Sequence, residues 1–89
     1  MIYVVVGNYE VYNPGSGYSD LIDFNQYVTD NKADLKNMKQ PTYTYVDMSN
    51  NKKYTVVPYA IDVQVWQSGK QIDVREFKTL DELKGWANE

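Results

Sequence analysis

The chain has 89 residues, 43% of them hydrophobic, a net charge of −3, and neither cysteine nor histidine. Those absences exclude disulfide staples, the usual zinc sites, Cys and Ser–His nucleophile systems, and the ordinary acid–base side chain near neutral pH. A domain of this length buries roughly 60–65% of its unfolded surface, which gives one modest core and little room for an enclosed active site. The expectation is a single non-enzymatic domain over residues 1–89, with no cofactor and no metal.

Charge is unevenly placed. Residues 1–31 carry −4, residues 32–56 carry +3 and residues 57–89 carry −2. No apolar run approaches the ~18–20 residues that span a bilayer. Residues 2–6 are apolar but lack the flanks of a signal peptide. A cytoplasmic protein with no membrane partner is the reading. Nine tyrosines stand out; the side chain suits both strands and contact surfaces.

Residues 2–6 read as a strand. Gly7 and Asn8 suit a tight turn, which would fold Tyr9, Val11 and Tyr12 back as a second strand; the alternative is one loop over 7–19. Residues 13–17 are a loop either way. Gly15, Ser16 and Gly17 precede an expected helix start, where backbone N–H groups can meet an anion. The lysine of a P-loop is missing, however, since Tyr18 and Ser19 follow. Asp20 and Asp23 would also repel a phosphate, so a plain connector is preferred.

Leu21, Phe24, Val28, Leu35 and Met38 fall at three-and-four spacing. They predict the longer helix over 20–38, with Asp20 as N-cap and Asp23 in the first turn. Asn31 breaks the stripe, so the helix is expected to stop there and resume as a short second piece, ended by Gln40 and Pro41.

Residues 42–57 read as a hairpin around Asn50 and Asn51, which tolerate positive φ. Partner numbers summing to 101 set Tyr45 opposite Val56 and Tyr54 opposite Asp47. Tyr43, Tyr45 and Tyr54 then share a face near Lys52 and Lys53. An aromatic platform edged by lysine can stack single-stranded bases, each worth about 1–3 kcal/mol. The plainer account, which we prefer, is that the tyrosines cover a small core and keep their hydroxyls in water. Pro58 marks an edge, a bend or a bulge.

The clearest signal is at 61–77, where Ile61, Val63 and Val65 alternate with Asp62, Gln64 and Trp66. The alternation resumes with Ile72 and Val74 after a turn at Ser68 and Gly69. Partners summing to 137 place Val65 opposite Ile72, Val63 opposite Val74 and Asp62 opposite Arg75. That yields an apolar face of Ile61, Val63, Val65, Ile72 and Val74, and a polar face bearing Trp66. Last, Thr79 and Glu82 form a capping box ahead of a helix at 80–87, which packs Leu80, Leu83 and Trp86 on the sheet. Capping and the helix dipole account for the carboxylate pairs Asp20 with Asp23 and Asp81 with Glu82.

The fold expected is α+β. An antiparallel sheet of four or five strands is packed by the longer helix at 20–38, broken near 31, and by the short C-terminal helix. Ile2, Val4, Val6, Leu21, Phe24 and Val28 join the hairpin in the core. The function expected is that of a small accessory or regulatory module that binds another protein, with Trp66 as a contact anchor. Two nucleic-acid readings stand beside it. One is a single-strand binder through Tyr43, Tyr45, Tyr54, Lys52 and Lys53. The other is a weakly acidic mimic that inhibits a DNA-binding enzyme. Self-association through an edge at 53–57 or through Trp66 is a further expectation.

Overall fold

A computed structural model describes residues 1–13, 17–47 and 49–89. Strand dominates at 58% of the described residues, with 17% helical. The strands are Ile2–Asn13 (β1), Tyr18–Thr29 (β2), Tyr43–Asp47 (β3), Lys52–Val56 (β4), Ala60–Gln67 (β5) and Lys70–Phe77 (β6). A 3-10 helix covers Lys32–Asn37, and the one α-helix, α1, is Leu80–Ala87. The main sheet has the order β2-β1-β5-β6 with all neighbours antiparallel, and β3 and β4 form a separate hairpin. Among the described residues no helix is long and apolar enough to cross a membrane.

The longer helix at 20–38 is therefore corrected: residues 18–29 are a strand. The physical reason is that the three-and-four spacing of Leu21, Phe24 and Val28 mixes the two faces of a bulged strand. Val5 pairs with Tyr27 and Val6 with Asn25, so Gln26 is the extra residue. A bulge shifts the side-chain alternation by one position. The residues of β2 on one face become Ile22, Phe24, Tyr27 and Thr29. Leu21 and Val28 lie off that face and are 69% and 56% exposed. Aspartates 20 and 23 sit in a strand, not at a helix N-terminus. The short second piece does form. Asn31 caps the 3-10 helix by accepting the N–H of Ala33 at 3.0 Å, and Leu35 is fully buried.

β1 runs straight through Gly7 and Asn8, so neither the turn nor the 7–19 loop forms there. It is an interior strand of the sheet and the first strand of a hairpin whose last pair is Asn13 with Tyr18. Residues 14–16 of the expected loop, with Gly15 and Ser16 of the anion reading, lie outside the described residues. Gly17, with φ of 73°, leads directly into β2. Gly7 is required by a close approach. A Cβ there would meet Cε2 of Tyr9 at 2.9 Å and Cγ of Gln26 at 3.2 Å, because the Tyr9 ring lies back over it.

Directly opposed residues share a face and neighbours along a strand alternate. The first face thus carries Tyr3, Val5 and Tyr9 of β1 and Ile61, Val63 and Val65 of β5. The core forms on it. Val5, Ile61 and Val63 cluster with Leu35 and Met38 of the 3-10 segment and with Leu80, Leu83 and Ala87 of α1. Each fully buried aliphatic side chain contributes about 1.5–3 kcal/mol. Ile2, Val4 and Val6, expected in this core, belong to the opposite parity and face away from it, although Val6 is buried on the second face.

α1 begins as its sequence predicts. The Thr79 hydroxyl accepts the Glu82 N–H at 3.2 Å, and the Glu82 carboxylate accepts the Lys78 N–H at 2.9 Å. Trp86 ties α1 to the sheet. Its ring meets Tyr3 edge-on at 6.3 Å and Phe77 at 5.6 Å, and the Lys32 ammonium lies 4.3 Å above it.

The β5–β6 hairpin keeps the expected turn, with positive φ at both Ser68 and Gly69, the geometry that matches strand twist. Its register departs from expectation after two pairs, Gln67 with Lys70 and Trp66 with Gln71. Trp66 faces Gln71, but Val65 faces Asp73, and Ile72 is the bulge residue. The polar-apolar split of β6 is inverted as a result. Arg75 lies opposite Val63 on the first face, and Val74 lies opposite Gln64 on the second. The expected apolar partners Ile72 and Val74 are 51% and 52% exposed.

Candidate functional site

The 3-10 helix and α1 pack on the first face of the main sheet, and the β3–β4 hairpin meets it through Tyr9 and Phe24. Among the described residues no helix or hairpin lies on the second face. Two cross-strand rows make that face apolar at one end. In the first row Val28, Val4, Gln64 and Val74 stand side by side across all four strands, and in the next stand Ile2, Trp66 and Gln71. Trp66 is half-buried among them and its indole N–H donates to Oε1 of Gln64 at 3.1 Å, which fixes the ring. The sequence places Trp66 here correctly. It misses Val28 and Val74, because both strands that carry them are bulged, and it assigns Ile2 and Val4 to the core. The alternation in β1 was a usable signal: Tyr3 and Val5 against Ile2 and Val4 is a choice of parity, and Tyr9 with its buried ring tips it.

The opposite end of the second face is acidic. Asn25, Val6, Asp62 and Glu76 form one row, and Asp23, Asn8 and Ala60 the next. Asn8 is buried and donates its side-chain amide to Oδ2 of Asp62 at 3.0 Å.

The tyrosines are arranged differently from expectation. Partner numbers in β3–β4 place Tyr45 directly opposite Tyr54, Tyr43 opposite Val56 and Asp47 opposite Lys52. The loop is longer than a two-residue turn. Asp47 accepts both the N–H and the hydroxyl of Ser49, at 2.9 and 2.6 Å, and Asn51 takes positive φ. Those bonds from Ser49 hold the Asp47 carboxyl below the usual carboxylate range. Met48 of this loop lies outside the described residues. Tyr43, Tyr45 and Tyr54 do share one face, and Lys52 shares it, while Lys53 pairs with Val46 on the other. Their rings continue a string from the sheet. Tyr9 meets Phe24 at 6.1 Å and Tyr43 at 5.8 Å, Tyr43 meets Phe24 at 5.0 Å and Tyr45 at 6.3 Å, and Tyr45 stacks on Tyr54 at 5.6 Å. Aromatic faces that a base would need are thus already in contact with one another.

One cleft, of about 480 Å³, opens between the bulge of β2 and the 3-10 segment, lined by Gln26, Tyr27, Asp34, Met38, Lys39 and Pro41 among others. Its carboxylate is engaged: Asp34 accepts the Thr29 hydroxyl at 2.6 Å. Among the described residues no three carboxylates gather as metal ligands. No protein-family model matches the chain, and neither does any curated protein or solved structure.

Proposed function

We propose that this chain is a non-enzymatic module that binds another protein through the second face of its main sheet. One observation carries the reading. Ile2 lies directly opposite the half-buried Trp66, and Val28, Val4 and Val74 stand in the adjoining row, on a face that none of the packed elements covers. Tryptophan in such a setting is the residue type that most often anchors a protein contact. A continuous apolar patch rimmed by polar side chains is the usual form of a contact surface. Small size and the lack of His and Cys support a role outside catalysis, and the lack of Cys supports work in the cytoplasm. The single-strand reading of Tyr43, Tyr45 and Tyr54 draws less support, because those rings stack on each other and on Phe24.

A photo-crosslinking amino acid at position 74, and in a second variant at position 53, tests the proposal in the source cell. Position 74 should yield a protein adduct of defined mass, and position 53, on the far side of the β3–β4 hairpin, should not. No adduct from 74, or equal adducts from both, would overturn it.

A further inference from the structure

We infer that the second face docks a cationic protein surface, apolar at its centre and bordered by lysines or arginines; this rests on the protein-binding reading above. The charge on the face is of one sign. Glu10, Asp23, Asp62 and Glu76 occupy its positions, and among the described residues of the four strands no Lys or Arg does. The bulge at Ile72 produces much of this. It turns Arg75 to the first face, where the guanidinium meets Asp73 at 3.4 Å and lies 6.0 Å from the Trp86 ring. It also brings Glu76 onto the second face, directly opposite Asp62. Lys70 sits opposite Gln67, in register with the first face.

Two carboxylates directly across a strand pair oppose each other. The Asn8 amide on Asp62 relieves part of that, and a cation between Asp62 and Glu76 would relieve the rest. Rows on one face lie about 7 Å apart along the strands. A partner seated on Val4 and Trp66 therefore reaches the Asp62 row with one lysine or arginine side chain. The same charges argue against two other occupants. A second copy would set like-charged rows against each other, and nucleic acid would bring phosphates to carboxylates. The acidic rows are thus a selector laid beside an apolar anchor.

Two synthetic amphipathic helical peptides serve as probes of the full chain, one of leucine and lysine, the other of leucine and glutamate. Binding is measured by calorimetry and mapped by amide shifts. The Leu–Lys peptide should bind and shift Val4, Val28, Val74 and the Trp66 indole. Raising salt from about 0.05 to about 0.5 M should weaken it roughly tenfold, since charge pairs are screened. The double variant Asp62→Asn with Glu76→Gln should weaken it to a similar degree. Glu76→Gln alone should raise the unfolding midpoint of the free chain, since it removes the opposed charge. Equal binding of the Leu–Glu peptide on this face, or Leu–Lys binding unmoved by salt and by the variants, overturns the cationic partner and leaves the protein-binding reading standing. If neither peptide shifts the second face, the cationic partner is overturned; if position 74 also gives no adduct, the wider reading falls with it.

Discussion

The two faces of the main sheet are built from the same four strands and nearly the same residue types, yet only one is a core. Val5, Ile61 and Val63 on the first face are covered by Leu35, Leu80 and Leu83 and are 0–1% exposed. Val28 and Val74 on the second are more than half exposed. Valine content does not separate the faces. What separates them is where the chain sends its connections: the 3-10 segment after β2, the β3–β4 hairpin and α1 after β6 all return to one side. An antiparallel sheet tolerates one solvated face. A solvated face with an apolar end next to an acidic end is less ordinary, and it is the ground for the proposed contact surface.

A matched pair of substitutions breaks or confirms this comparison most sharply. Val63→Asp puts a carboxylate at a fully buried site, where its cross-strand neighbour Arg75 already meets Asp73 at the surface, and should cost about 4 kcal/mol, much of the roughly 5–15 kcal/mol that holds a small domain together. Val74→Asp places the same carboxylate in water on an edge strand and should change stability by only about 0.5 kcal/mol. Urea unfolding followed by circular dichroism reads both. Had the hairpin kept an unbulged register, Val63 and Val74 would be core partners and the two losses would be alike. Similar losses would therefore show that the faces are wrongly assigned.

That experiment also marks how far the sequence could be read. The capping box at Thr79, the turn at Ser68 and Gly69, the break at Asn31 and the position of Trp66 were legible because each depends on a few adjacent residues. The faces of β2 and β6 were not. In both strands one extra residue, Gln26 or Ile72, shifts the alternation, and nothing local to either residue announces it. In β2, moreover, Leu21 and Val28 on the second face and Phe24 on the first fall three and four apart, which imitates a helical stripe and replaces a strand with a helix. In β6 it exchanged Val74 for Arg75 on the core side. The tyrosine hairpin failed for a milder reason: Asp47 and Ser49 begin its turn earlier than Asn50 and Asn51 suggest, which moves Tyr54 from Asp47 to Tyr45. The contact surface was half legible. Trp66 was placed on it, but its apolar neighbours depend on the two bulges.

A second prediction sharpens the first face by overfilling it. Gly7 lies beneath the Tyr9 ring, which is fully buried and meets the rings of Phe24 and Tyr43. The Cβ of Gly7→Ala would stand 2.9 Å from Cε2 of Tyr9. Forcing one methyl into such a site should cost about 2 kcal/mol. The loss should appear in the unfolding midpoint and as shifted Phe24 and Tyr43 ring resonances. An alanine tolerated without loss would mean that the string of rings is loose and that the first face ends before Tyr9.

The hydroxyl of Tyr9 gives a smaller and pH-dependent handle on the same boundary. It donates to Oε1 of Gln26 at 3.1 Å, and burial pushes its pKa above the ordinary tyrosine value. Tyr9→Phe removes that hydrogen bond and should cost about 1 kcal/mol near neutral pH. The sign of the pH effect follows from linkage. A tyrosine in the unfolded chain loses its proton at about pH 10, while folded Tyr9 holds its proton higher. Between those two values the folded state binds more protons, so stability is whole below about pH 10 and falls as pH rises toward the folded value. Phenylalanine at position 9 has no proton to lose, so the variant should show a shallower alkaline decline. Wild type and variant should therefore converge in stability between about pH 8 and pH 11. A constant gap over that range would mean that water reaches the Tyr9 hydroxyl, and that the covered part of the first face stops at Gly7.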